Sequence, residues 1–322
     1  MKRIFIFAFF ALLIPHGAQA ADYDGPPLYP PELYELRPSL EIDVGVRYWY
    51  STGKTQMRLF DSTGSIPVSR LTWDDQTGHS GEGYFNIRQS DYFLKGYIGA
   101  GVLTSGKLKD EDFPLLPDFP TYSSTNGSSK DGDLRYLSID FGYYLLNSSS
   151  AKLGGFVGYH YDSEKMNAYG CTQTAGNPDV CVPSISGSVK VITQSYRWSS
   201  VRLGIAGEVE LLPNLKLSGD AAWLPYTSLR GSDTHWLRLG SGPTDFTGAT
   251  PQTGSGTGMQ FEGIATYMFT NNVTLGVGGR YWRMEAPNAK AHFEDSTLNG
   301  GPQVEKVKMD RYGVFVQLGV KY

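Results

Sequence analysis

The chain lacks a long apolar run, an excess of basic charge and a full set of cysteines, and each absence removes a class of protein. No stretch reaches the roughly 18 consecutive apolar residues of a transmembrane helix. Lys and Arg number 28 against 32 Asp and Glu, a net charge of -4. Nothing supplies a basic face for phosphates, which argues against a nucleic-acid partner. No Gly-x-Ser-x-Gly elbow, no His-Glu-x-x-His helix and no phosphate-cradling glycine loop occurs. Asp131 and Asp133 lack the closing Glu of a calcium loop, and the two cysteines have no histidines near them to complete a zinc set, so no metal site is expected.

The N-terminus has the layout of a secretion signal. Met1-Lys2-Arg3 is basic, Ile4–Ile14 is apolar and Ala18-Gln19-Ala20 is a small-x-small cleavage pattern. Residues 1–20 are therefore expected to be removed, leaving a net charge of about -6; an uncleaved N-terminal anchor is the competing reading. Residues 21–38 form a proline-rich leader that cannot join a β-ladder. Export brings Cys171 and Cys181 into an oxidising compartment, where a disulfide closing a small loop is expected.

From residue 39 to 322 the pattern has period two. Tyr312, Val314, Val316, Leu318, Val320 and Tyr322 share one face, while Gly313, Gln317 and Lys321 share the other with Phe315. Leu137, Ile139, Phe141 and Tyr143 oppose Tyr136, Ser138 and Asp140; Val201, Leu203 and Ile205 oppose Arg202; Leu215, Leu217 and Trp223 oppose Lys216 and Asp220. A charge facing lipid at mid-membrane costs about 2–4 kcal/mol, so the polar faces belong inside or near the rim. Mean hydropathy is only -0.29 because every second strand residue is spared lipid.

Such segments fall near 40–52, 67–89, 92–108, 133–146, 152–170, 188–211, 214–230, 257–269, 273–291 and 303–322. Connections near Ser90-Asp91, Asn147–Ser150, Pro213-Asn214 and Asn271-Asn272 are tight, and the others are long. The expected fold is all-β: a ten-stranded antiparallel transmembrane β-barrel in one domain, with short inner turns and long extracellular loops. A secreted β-sandwich is the alternative, with turns that would not sort by length in this way.

Two acidic motifs stand out. On an extended strand, residues two apart point the same way. Asp233 can thus reach His235 and set its tautomer, and Asp110 and Asp112 can crowd one another and share a proton or a water. Both motifs follow odd-numbered strands and emerge at the same outer rim. A water held between a carboxylate and His235 could be deprotonated for attack on a carbonyl. Acidic loops are more often merely solvated, so each motif is weak alone.

Four motifs in order carry a family resemblance: Gly53-Lys54-Thr55-Gln56-Met57-Arg58, Val68-Ser69-Arg70-Leu71-Thr72-Trp73, Asp110-Glu111-Asp112-Phe113 and Asp233-Thr234-His235-Trp236. With them the chain resembles the omptin family of outer-membrane proteases from about Leu40 to Tyr322. The resemblance implies an endopeptidase with its site in an outward-facing groove and no covalent acyl-enzyme. Asp110 and His235 would flank the attacking water, Asp233 would orient His235, and Asp112 would support Asp110. No cofactor is implied other than lipopolysaccharide, which the family binds on the barrel wall and whose requirement for activity is left open. Tyr159 and Arg197 match that lipid site, while the partners expected after Tyr159 are here Tyr161 and Ser163. Arg197 reads equally as an interfacial anchor beside Trp198.

The family's substrate-pocket acids correspond to Met57 and Gly231, neither of which carries a charge. That removes the partners of a substrate Arg or Lys, with Glu111, Asp74 and Asp75 as nearby substitutes. The implied partners are peptides or proteins at the cell surface and outer-membrane lipid, and a monomer is expected. A catalytically silent barrel acting as adhesin or structural protein is the competing function, favoured by the two absent acids. A small pore is disfavoured because narrow barrels have filled lumens.

Overall fold

The computed structural model describes residues 40–61, 63–114, 121–240, 246–293 and 302–322. The expected signal (1–20) and leader (21–38) lie outside the described residues. Eleven antiparallel strands close into a ring: β1 Glu41–Phe60, β2 Pro67–Gln89, β3 Tyr92–Asp112, β4 Ser123–Ser129, β5 Gly132–Asn147, β6 Ala151–Gln173, β7 Ile185–Leu212, β8 Leu215–His235, β9 Thr250–Met268, β10 Val273–Ala291 and β11 Gln303–Lys321. β1 pairs with β11, with Val46 opposite Leu318 and Thr55 opposite Met309, so no edge is left open among the described residues.

Ten is the number of staves. β4 and β5 both pair with β3 and β6 and form one stave, broken at Lys130-Asp131. Asp131 has φ 56°, and Asn167 Nδ2 donates to its carbonyl at 2.6 Å, so β6 holds the break in place.

The alternation read from the sequence is the wall of the barrel. Val314, Val316 and Leu318 are exposed while Phe315 and Gln317 are buried; Ile139, Phe141 and Tyr143 are exposed while Tyr136, Ser138 and Asp140 are buried. Exposed aromatics mark both borders, Tyr50 and Tyr312 at one and Tyr92, Tyr143 and Tyr322 at the other. Ten residues from Tyr322 to Tyr312, on a strand tilted by roughly 40°, rise about 25 Å, which is the height of an outer-membrane apolar band.

The strands run further outward than the periodicity predicts. β1 reaches Phe60 where 52 was expected, β3 reaches Asp112, β8 reaches His235 and β9 begins at Thr250. Much of what was assigned to long outer loops is ladder. Two effects hid it. Above the lipid the outer face is free to be polar, so the contrast between faces fades. Register shifts between Ser51/Thr55, Asp74/Thr77, Leu224/Thr227 and Glu285/Lys290 also break the parity. Gly53 sits in this upper wall, where a Cβ would fall 2.6 Å from the Arg311 guanidinium. That residue type makes room for Arg311 to bond Glu164 Oε1 (2.5 Å) and Ser51 Oγ (3.0 Å).

Cys171 and Cys181 form the expected disulfide, with Cα atoms 5.7 Å apart, tying the end of β6 to the loop before β7.

Candidate active site

Asp110 and Asp112 lie at the outer end of β3, and Asp233 and His235 at the outer end of β8, on opposite walls of the mouth. Asp233 Oδ2 and His235 Nε2 are 3.0 Å apart, as their shared face requires. Trp236 Nε1 donates to Thr193 Oγ1 at 2.8 Å, which fixes the chain where β8 gives way to a single 3-10 turn, Trp236–Arg238. Phe246 lies against the imidazole with centroids 5.3 Å apart, and the Arg238 guanidinium lies 4.6 Å over the Phe246 ring.

The electrostatics join the two walls. Burial raises Asp110 to about 7, the like charges of Asp112 and Asp233 act in the same direction, and His235 and Arg238 oppose them. Burial alone would lower His235; the charge and hydrogen bond of Asp233, with Asp110 beyond, overturn that and carry it to about 8. Asp112 keeps more open surface and takes a hydrogen bond from Ser69 on the neighbouring β2. Asp110 and His235 therefore titrate near neutral pH at facing positions, an arrangement suited to moving a proton to and from a water.

The pocket positions are occupied differently from an acid pocket. Met57 is buried in the apolar cluster of the upper lumen. At Gly231 a Cβ would fall 2.6 Å from Tyr196 Cδ1, so the tyrosine ring covers that position. The suggested substitutes are engaged elsewhere. Asp74 pairs with Lys54 (2.7 Å), Asp75 with Lys107 (3.1 Å), and Glu111, on the opposite face from Asp110, with Arg70 (2.6 Å) and Lys109 (2.9 Å).

Sequence reasoning missed three residues of this mouth: Phe246, Tyr196 and Glu305. Glu305 is fully buried, and Tyr196 Oη donates to its Oε1 at 3.4 Å. Burial raises Glu305 to about 8, reinforced by the charge of Asp233 and opposed by the Tyr196 hydrogen bond. The signal was present: Glu305 has the parity of Phe315, Arg311 and Val307 on β11, all inward. Phe246 follows a stretch with no periodicity to read.

On the outer wall Tyr159 is exposed and its hydroxyl bonds Ser199 Oγ at 3.2 Å. Arg197 is exposed within a cross-strand row, Arg135–Ser163–Arg197–Arg230, in which all three arginines face outward. Trp198 is 1% exposed and faces the lumen, so it is not the neighbour of Arg197 at the lipid border that the sequence suggested.

A profile of the Omptin family matches residues 39–322. The chain belongs to the omptin family of outer-membrane proteases, and it is an outer-membrane β-barrel protein. A search of curated protein sequences finds no match. Among solved structures this omptin is similar to the outer membrane protease OmpT from Escherichia coli, with a TM-score of 0.64 and 17% identity over 88% of this chain and 96% of that one. It is also aligned with the outer membrane protein OprG from Pseudomonas aeruginosa, with a TM-score of 0.34 and 13% identity over 89% and 96% of the two chains.

Proposed function

We propose that the protein is an endopeptidase that cleaves peptides or proteins at the cell surface with a water activated by Asp110 and His235. The reading is carried by the Asp233–His235 bond standing across the mouth from Asp110, with the three groups in mutual electrostatic contact. The water sits between Asp110 and His235. His235 takes its proton, the oxygen attacks the carbonyl carbon, and the imidazolium returns the proton to the leaving amine nitrogen. No acyl-enzyme forms. Asp233 holds the imidazole and stabilises the imidazolium, while Asp112 supports Asp110 and the water.

In this reading lipopolysaccharide binds the outer wall at Tyr159 and Arg197, with Arg135 and Arg230, in the same cross-strand row as Arg197, as further phosphate partners. The protein acts as a monomer in this reading. The silent-barrel alternative rests on the uncharged Met57 and Gly231.

The test is to refold the barrel with lipopolysaccharide, give it a mixed-peptide library and read cut sites by mass spectrometry. Cleavage that disappears in Asp233→Ala and His235→Ala supports the protease. A folded barrel that cuts nothing moves the reading to the silent one.

A further inference from the structure

One buried carboxyl of the mouth that the mechanism above leaves unused is Glu305. It is 0% exposed, its Oε1 accepts from Tyr196, and its Oε2 has no hydrogen-bond partner among the described atoms. No Lys or Arg pairs with it among the described residues, whereas Glu164, Glu82 and Glu262 in the lumen all bond arginine; Asp162, two residues inward of Glu164 on β6, is the other buried carboxyl without a cation but stands below the mouth. A buried carboxyl without a cation is costly to ionise, and this one, within the field of Asp233, asks for a partner from outside.

Its position suggests which partner. Glu305 stands opposite Leu59 on β1, and the next inward pair down that ladder is Val307 opposite Met57. Tyr196 stands opposite Gly231, two residues before Asp233, and its ring fills the space a side chain at 231 would need. The Glu305–Tyr196 contact therefore joins the two pocket positions, 57 and 231, that carry no acid. An acid at 231 and Tyr196 in this place exclude each other on steric grounds.

We infer that Glu305, with Tyr196, is the specificity-determining acid of this omptin and reads a basic side chain next to the scissile bond. This rests on the protease reading. A substrate ammonium or guanidinium donates to the free Oε2, and its aliphatic stem packs on the apolar cover formed by Met57, Leu59 and Val307. Met57, unbranched and flexible, is the part of that cover able to move aside. Among the described residues, the other groups facing the carboxyl are Asp233 on β8, with His235 behind it, Gln252 on β9, which bonds the Tyr196 hydroxyl, and Ala289 on β10. None is a fixed cation.

One consequence is a proton release. Empty, Glu305 is held neutral up to about 8 by burial and by Asp233. Seating a cation ionises it, so preference for a basic residue grows as pH rises towards that value and levels off above it.

The experiment compares matched peptides with Lys, Arg or Leu at the cut position. The wild-type barrel is expected to favour Lys and Arg, with a basic-to-neutral ratio of kcat/KM that rises from pH 6 to 8 and is flat above. Taking the ratio cancels the titration of Asp110 and His235, which both peptides share. Glu305→Gln is expected to lower the ratio by about 10- to 100-fold, through KM, the value of one charge-assisted hydrogen bond. Tyr196→Phe lowers it less, in the same sense. A cleaving wild type whose ratio shows no basic preference, or does not depend on pH, overturns the assignment. So does a folded Glu305→Gln barrel with an unchanged ratio. If that variant does not fold, the wild-type pH series decides alone. A wild type that cuts none of the peptides and nothing in a mixed library defeats the protease reading itself.

Discussion

The lumen within the membrane and the mouth above it use the same kinds of residue to opposite ends. In the lumen, Asp162 apart, the charges neutralise one another. Arg280, 1% exposed at its side chain, pairs with Glu82 (2.7 Å) and Glu262 (2.6 Å); Arg202 pairs with Asp140 (2.9 Å) and Asp220 (3.1 Å); Arg88 pairs with Glu208 (2.7 Å) and Glu41 (3.2 Å). Around them Trp49, Tyr136 and Trp282 meet edge-on or tilted at 4.7–5.2 Å. In the mouth, Asp110, Asp112 and Asp233 act on one imidazole and Glu305 stands beyond Asp233, and the Asp233 Oδ1 and Glu305 Oε2 atoms are left without hydrogen bonds. Mutual neutralisation builds a scaffold, whereas unbalanced charge near neutral pH is what the proposed active site uses.

The largest expected effect breaks the lumen. Arg280→Ala leaves Glu82 and Glu262 buried without their cation, a loss of about 3–5 kcal/mol. The variant is expected to refold poorly, seen as loss of the compact heat-modifiable band on gels. Refolding at wild-type yield would show that the ionic layer is dispensable.

Next comes the mouth. His235 must be neutral to accept the water's proton and Asp110 ionised to hold that water, so kcat/KM should rise with pH through about 7 and about 8 and then level off. Asp233→Asn removes the charge that holds His235 up, which leaves burial to lower it. The profile's upper step should move to lower pH while the plateau falls by about 10²- to 10⁴-fold. The barrel should melt as wild type does. An unmoved step would mean that His235 is not the group titrating.

Much of this contrast was legible in the sequence, for a physical reason. Lipid enforces parity, so strands between the aromatic borders could be counted from Val314, Leu318, Ile139 and Leu203 alone. Above the border nothing enforces it, and the strand ends were read short. The dyad was legible because Asp233 and His235 are two apart on one strand. Glu305 and Tyr196 were not, because their meeting depends on β11 and β7 facing each other across the mouth, which no local spacing reports. Trp198 was misplaced because an aromatic beside an arginine looks like a border residue until the parity of β7 turns it inward.

A smaller effect separates rim from ladder. The Cys171–Cys181 bridge closes a short loop at the mouth, and reducing it should cost about 2–3 kcal/mol of local order. Limited proteolysis within residues 174–184 should speed up on reduction, with the melting of the barrel unchanged. A fall in barrel melting would extend the lumen's role as scaffold to the mouth.

The smallest effect lies on the outer wall. Arg135, Arg197 and Arg230 form one exposed row, in which each arginine near an anionic surface contributes about 1 kcal/mol. Arg197→Ala should therefore weaken binding to lipopolysaccharide roughly fivefold, with its neighbours retaining the rest. Replacing all three should lower binding far more than the single change while leaving the Asp233–His235 geometry in place. Titration of refolded barrel with lipopolysaccharide measures both. If the triple variant binds as the wild type does, the row is only a polar collar above the lipid, and the charges on the outer wall belong with the solvated pairs such as Lys54–Asp74 rather than with the mouth.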